Sequence, residues 1–293
     1  MDGTRLGLAE AVEAAAAWVS SSWAAEVEAR RVVGVLQRFA SFCDQGFGIV
    51  ELAGVTPAVA AEFVSAPAPD GVAPSVSLRH LRRLSIRLLF RVARSSGHVL
   101  GDPTLDLRLP PRSLLSTRPL ADEEVLVCRG AAQWSLEDTR RAAAWALAEA
   151  TSRTAELPFI TVADVDLERS RVWIHGGGRA AERWGYLDDW GVEHISRRLA
   201  VVGEGPAAPI FYAGGDPAGA GQVAACTAIQ DVLVRAGLSD ERDVRASSVA
   251  AWAGRRILAE SGRIEVVARR LGLKSLDRAA RIIAWDWLEE PDP

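Results

Sequence analysis

Arg79, Arg83, Arg87 and Arg91 recur every fourth residue in SVSLRHLRRLSIRLLFRVARSSGH (75–98), and Arg94 follows three later. At 100° per residue, these five guanidiniums fall within an arc of about 120° on one helix face. Leu78, Leu81, Leu88, Leu89 and Val92 supply the apolar side. Like charges four residues apart on a helix repel one another, and a polyanion relieves the repulsion. Phosphate binding is the chemistry this spacing suits. Five such contacts would give a log K against log salt slope of about −4 to −5. The same spacing also describes a solvated, arginine-rich face. Other reactive types are sparse. Cys43, Cys128 and Cys226 are far apart, as are His80, His98, His175 and His194, so no metal-ligand spacing arises and no metal or cofactor is expected. Only two tyrosines occur, Tyr186 and Tyr212.

The chain has 293 residues, 49% of them hydrophobic and 25% charged, which is ordinary globular composition and long enough for two domains. No apolar run reaches the length of a membrane span, about 18 residues. The first residues show no basic start, apolar stretch and small-residue cleavage site, so a cytoplasmic protein with reduced thiols is expected. Net charge is −4, unevenly spread. Residues 1–118 carry 13 arginines against 11 acids, and residues 119–293 carry 21 basic against 27 acidic residues. A local basic face is compatible with an acidic total.

Two prolines, small polar residues and a third proline in LPPRSLLSTRPLADEE (109–124) predict an extended connection between domains. Before it the periodicity is helical, with Thr56 and Pro57 opening one helix. After it, helices are expected over 121–132, with a cap near Asp122, and over 135–152, with Ser135 and Asp138 at its start. FITVADVDLERSRVWIHGGG (159–178) changes to a period of two and reads as a hairpin turning at Glu168-Arg169-Ser170. A third strand is expected at 182–189, and helices near 190–202, 220–237 and 247–260. RRLGLKSLDRAARIIAWDW (269–287) reads as two short helices broken at Leu271-Gly272-Leu273, the second capped by Ser275. A small sheet among many helices makes the second part α+β.

TSRTAELPFITVADVDLERSRVWIHGG resembles the start of the catalytic domain of tyrosine recombinases, the phage integrase family. There, a helix ends in Arg-x-x-Glu and runs into a hairpin through an Asp-containing turn, and Arg153, Glu156 and Asp164 match these features. FASFCDQGFGIVELAGVTPAVAAEFV is similar to the first half of the family's core-binding domain. SLRHLRRLSIRLLFRVARSSGHVLGDPTLDLRLP is similar to its fourth helix and exit, and STRPLADEEV to the entry of the catalytic domain. The resemblance implies a two-domain chain. An all-α, SAM-like core-binding domain would span 1–108, a linker 109–121, and an α+β domain of the recombinase catalytic type 122–293.

The family cleaves a phosphodiester with a tyrosine, assisted by two arginines, a His or Trp, a hairpin lysine and a histidine. Carried onto this chain, Arg153 fills the first arginine position. The hairpin lysine falls on Gly177 or Arg179, and arginine is a poor general acid because it keeps its proton. His-x-x-Arg falls on Ser247 and Ala250, the later His or Trp on Leu273, and the tyrosine on Ile282. No tyrosine follows residue 212, so no gap placement restores the nucleophile. Catalytic groups of this kind act as a unit. A catalytically inactive, recombinase-like protein is therefore expected, with its pocket packed shut by Leu273 and Ile282. The hydrophobic pattern is intact throughout, which argues for continued folding.

The expected partner is double-stranded DNA, contacted by Arg79, Arg83, Arg87, Arg91 and Arg94, with Arg153, Arg179 and Arg183 adding contacts from the second domain. The implied role is accessory to recombination or integration of a mobile element, beside an active tyrosine recombinase, in a nucleoid-associated protein. ARIIAWDWLEEPDP, with Trp285 and Trp287, could serve self-association, or its tryptophans could pack internally. Two other readings stay open. One is a regulator using 265–284 as a helix-turn-helix, which Glu260, Glu265 and Asp277 disfavour. The other is a protein-interaction module without DNA binding.

Overall fold

The computed structural model describes residues 6–22, 26–67, 71–99, 101–110, 117–135, 137–178, 180–203 and 205–285. The chain divides into two compact units, residues 1–112 and 113–293. Among the described residues no helix is long and apolar enough to cross a membrane, and no three His, Cys, Asp or Glu side chains gather as a metal site would require.

The first unit is built from α1 (Leu8–Ser22), α2 (Glu26–Phe47), α3 (Pro57–Ser65) and α4 (Val76–Ser95). α3 starts where Thr56 Oγ1 accepts from the Val59 amide and Pro57 supplies a fixed φ at the first turn. α4 starts at Ser75, whose hydroxyl accepts from the Leu78 amide. The core is aliphatic and aromatic: Val32, Leu36, Phe39 and Phe63 meet Ile86, Leu88 and Leu89, with Phe39 and Phe63 edge to face at 5.0 Å. Arg82 closes the end of α3 by donating to the carbonyls of Phe63 (3.0 Å) and Ala66 (2.6 Å).

α4 departs from the expected stripe. Arg83 and Arg87 are 4% and 7% exposed, so neither presents a charge to solvent. They face the chain that returns along α4 after its end. Arg94 Nη2 lies 3.8 Å from Asp102, whose carboxylate also accepts from the Thr104 amide and hydroxyl. Arg87 donates to Thr104 Oγ1 and to its carbonyl, both at 3.1 Å. Arg83 donates to the Leu107 carbonyl at 2.8 Å, and His80 Nε2 sits 2.8 Å from the Pro110 carbonyl. The residues form a ladder that holds 101–110, a segment without strand or helix to occupy its backbone groups. The four-residue spacing is real, but its anion-like partners are carbonyls and a carboxylate of the same unit.

The second unit contains α5 (Asp122–Ala132), α6 (Thr139–Glu149), β1 (Val165–Asp166), β2 (Arg171–Ile174), β3 (Arg183–Tyr186), α7 (Asp189–Leu199), α8 (Gln222–Arg235), α9 (Ser247–Ser261), α10 (Ile264–Arg270) and α11 (Leu276–Ile282). The three strands form an antiparallel sheet in chain order, with Trp173 opposite Trp184 and Val172 opposite Gly185. Their first turn lies at 167–170, with Ser170 at φ 49°. α6 is the central helix: Ala142 to Ala148 are all buried, and the small side chains let α7, α8 and α9 approach it. Gly185 brings β3 against the end of α6. A Cβ there would stand 2.3 Å from the Ala150 carbonyl. α9, α10 and α11 close around Ile257, Val267, Leu271, Leu273, Ala279 and Ile283. Gly272, at φ 66°, makes the break between α10 and α11, and Ser275 Oγ caps α11 through the Arg278 amide. Leu276, at the start of α11, is 48% exposed. Trp285 packs partly against this cluster, while Trp287 lies outside the described residues.

Candidate phosphate-facing site

The end of α6 is where the site begins. Thr151, at φ 76°, turns the chain out of the helix, and its hydroxyl donates to the Arg270 carbonyl. Glu156 then folds back, accepting from the Arg153 amide at 2.8 Å. Both Glu156 oxygens receive Arg183, at 3.0 and 2.8 Å, and Arg183 also donates to the carbonyls of Thr151 and Ala181. Arg183 and Glu156 are 6% and 4% exposed. Arg183 is therefore a buried strut between β3 and the end of α6. That corrects the expectation that it contacts DNA: its fork is filled by a carboxylate, and a bidentate pair of this kind is not available to a phosphate.

Arg153 is different. It is half-buried, and its Nη2 donates to the Leu271 carbonyl at 3.1 Å. Burial lowers its pKa, with Glu156 opposing and Arg183 and Arg278 adding to the lowering. It lines a cleft of about 490 Å³ together with Ser247, Ala250 and Ile282. Four positions drawn from three distant stretches of the sequence thus meet in one place. α9 brings Ser247 and Ala250 on its first turn, α11 brings Ile282, and the end of α6 brings Arg153. The expectation of a pocket packed shut is corrected. Ile282 lines the cleft without filling it, beside the small side chains of Ala246, Ala250 and Ala251. Leu273 does not join them. It is 8% exposed in the core between α9 and α11 and lines a separate hollow beside Arg183 and Trp173.

Arg153 also borders a second, wider hollow of about 1000 Å³ with Glu156, Phe159 and the hairpin turn Gly176-Gly177-Gly178. Arg179 lies outside the described residues. His175 faces this hollow with Nε2 2.9 Å from the Asp164 carboxylate, which Thr161 holds by its amide and hydroxyl. Scattered histidines in the sequence gave no sign of this pair. The one available clue was that His175 directly precedes the glycines of the hairpin turn. Arg281 was equally inconspicuous. It reaches the cleft from α11 and stands exposed beside Ile282. Neither Tyr186 nor Tyr212 lines the cleft.

No protein-family model matches the chain, and no curated protein does. Among solved structures it is similar to the XerA recombinase, at TM-score 0.50 and 17% identity, over 95% of each chain. The chain has the tyrosine-recombinase fold. Weaker likenesses are to the XerH site-specific recombinase bound to a palindromic difH substrate (TM-score 0.48, 13% identity, 96% of this chain and 93% of that one) and to the integrase from mycobacterium phage Brujita (TM-score 0.42, 17% identity, 97% and 94%). The cleft at Arg153 is lined from the end of α6, from the start of α9 and from α11.

Proposed function

We propose that this chain is a DNA-binding, recombinase-like protein that does not carry out strand transfer and acts as an accessory to recombination or integration of a mobile element. The observation that carries this reading is the cleft at Arg153. It gathers Arg153, Ser247, Ala250 and Ile282, and it holds two arginines, Arg153 and Arg281, but no tyrosine. A phosphate can be held there by charge, while a phosphoester needs a nucleophile that an isoleucine does not supply. The recombinase fold supports DNA as the partner, and so do the arginines with exposed side chains, Arg94 on α4 and Arg278 and Arg281 around the cleft. His175 and Asp164 offer a proton-transfer pair nearby, which does not replace the missing nucleophile.

The test uses the full chain with duplex DNA carrying a nick that traps a cleaved intermediate. The expected outcome is a salt-sensitive mobility shift without a protein–DNA adduct that survives denaturation. A covalent adduct would refute inactivity, and the absence of any shift at low salt would refute DNA binding. Association with an active recombinase of the same element is the partner this reading favours.

A further inference from the structure

An antiparallel sheet with one wet face ordinarily alternates apolar side chains inward with polar ones outward. The inward set here is ordinary: Val172 and Ile174 are buried, beside the Arg183 strut to Glu156. The outward set is Arg171 and Trp173 on β2 and Trp184 and Tyr186 on β3. The register places Trp173 opposite Trp184 and Arg171 opposite Tyr186, so the four are contiguous. The two indoles meet edge to face, with centroids 5.1 Å apart. The Arg171 guanidinium lies 4.0 Å from the centroid of Trp184, and Arg270 of α10 lies 4.0 Å from that of Tyr186. Even under Arg270, Tyr186 is 48% exposed. All three rings border a hollow of about 530 Å³, which Arg269, Arg270 and Lys274 also line. Arg269 and Lys274 are exposed. The carboxylates at the hollow are Glu182 and Glu265, and Glu265 is engaged by Arg263 at 2.6 Å. Asp166 engages Arg171 at 2.9 Å. Rings and an excess of cations therefore share one surface.

We propose that this sheet face binds single-stranded DNA, with an unpaired base stacked on Tyr186 in the hollow beside Trp173 and Trp184, and with Arg269 and Lys274 on the neighbouring phosphates. A polyanion that carries flat rings complements both halves of the surface, the aromatic and the cationic. Duplex DNA complements only the second, because its base faces are already stacked on one another. An apolar peptide complements only the first and leaves Arg269 and Lys274 without counter-charge. Every base has a π-face, so the expected binding tolerates sequence changes. The inference rests on the DNA-binding reading for its choice of DNA over RNA, since rings and cations serve both. Its site is separate from the cleft at Arg153: no residue lines both hollows except Leu271's neighbours in sequence on α10 and the turn after it.

The test is fluorescence anisotropy of the full chain with a short labelled oligothymidylate, with the same backbone carrying abasic sites, with oligouridylate and with a duplex, all of equal length. Oligothymidylate is expected to bind about tenfold tighter than the abasic strand, because stacking of one base contributes on that scale. Tyr186→Leu alters an exposed side chain and keeps its apolar bulk while removing the π-face, so folding is retained. It is expected to weaken oligothymidylate by about tenfold and to leave the abasic strand and the duplex unchanged. Arg269→Gln with Lys274→Gln, both at exposed positions, is expected to flatten the salt slope of oligothymidylate by about 1.4, since each contact to a single strand contributes about 0.7. Four results would overturn the proposal: equal affinity for the oligothymidylate and abasic strands, oligothymidylate binding that neither variant changes, oligouridylate binding tenfold tighter than oligothymidylate, or no single-strand binding at low salt. The last, beside a duplex that does bind, would refute this inference and spare the DNA-binding reading. A duplex that fails to bind while oligothymidylate binds as expected would refute duplex recognition and uphold the sheet face.

Discussion

Arg83 and Arg87 show how one side-chain type serves two opposite purposes. A guanidinium has five donors, and in α4 these donors meet the carbonyls of Leu107 and Thr104 and not water. Replacing Arg83 and Arg87 by alanine should therefore act on folding. Each change removes charge-assisted hydrogen bonds and leaves a buried carbonyl unpaired, at a cost of about 2–3 kcal/mol. Urea unfolding is the measurement, and an unchanged midpoint would sink this account. His194 gives a residue-scale dependence on pH. It is 4% exposed and packs tilted against Trp190, ring centroids 4.3 Å apart. Burial lowers its pKa, Arg197 and Arg129 add to the lowering, and Glu193 opposes them. The folded state therefore takes up its proton less readily than the unfolded chain does. Stability from this group is present above the ordinary histidine value of 6.5 and is lost as pH falls below it. His194→Phe should flatten thermal stability between about pH 7 and pH 5. A wild-type melting temperature that rises over that fall in pH would contradict the sign.

At the scale of elements, close approach governs where the sheet sits. Gly185 lets β3 touch the end of α6, and a Cβ there would also come within 2.9 Å of Ile174 Cδ1. Gly185→Ala should cost about 1–3 kcal/mol as overpacking, whereas Gly178→Ala, with nothing within 4 Å, should cost far less. Equal denaturation midpoints for the two variants would argue that β3 does not sit where described. Most elements were legible in the sequence because each carries a local signal. Thr56 with Pro57, Asp138 and Ser275 mark helix starts, and the period of two around Glu168–Ser170 marks the hairpin. The site was legible only in part. Arg153, Ser247, Ala250 and Ile282 converge because α6, α9 and α11 pack together, and that convergence was visible through a family pattern, not through spacing. The burial of Arg83, Arg87 and Arg183 was hidden. Helical periodicity shows which residues share a face but not what covers that face, and 101–110 carries no pattern that announces its return along α4.

For the whole molecule, the arginine ladder changes what salt should do. With Arg83 and Arg87 turned inward and Arg94 paired with Asp102, the share of α4 in a log K against log salt slope falls well short of the about −4 to −5 that five free arginines would give. Changing Arg79 to alanine should flatten the measured slope by about 1 and weaken binding alike on unrelated duplexes, because phosphate contacts carry little sequence information. Mobility shifts across a salt series are the measurement. An unaltered slope would remove α4 from the DNA-binding surface and leave the cleft arginines as the basis of the reading. The acidic balance of residues 119–293 is a reason to expect the first unit to dominate long-range attraction.

The ladder also has a mechanical meaning. Its rungs are met in order along the returning chain: Asp102 with Arg94, Thr104 with Arg87, Leu107 with Arg83 and Pro110 with His80. Tension on Pro110 directed away from α4 loads the His80 rung before the Arg83 rung. The segment should thus peel rung by rung under force, releasing a few residues of slack at each step before α4 itself is strained. Such a fastening would act as a graded tether for whatever pulls on the linker.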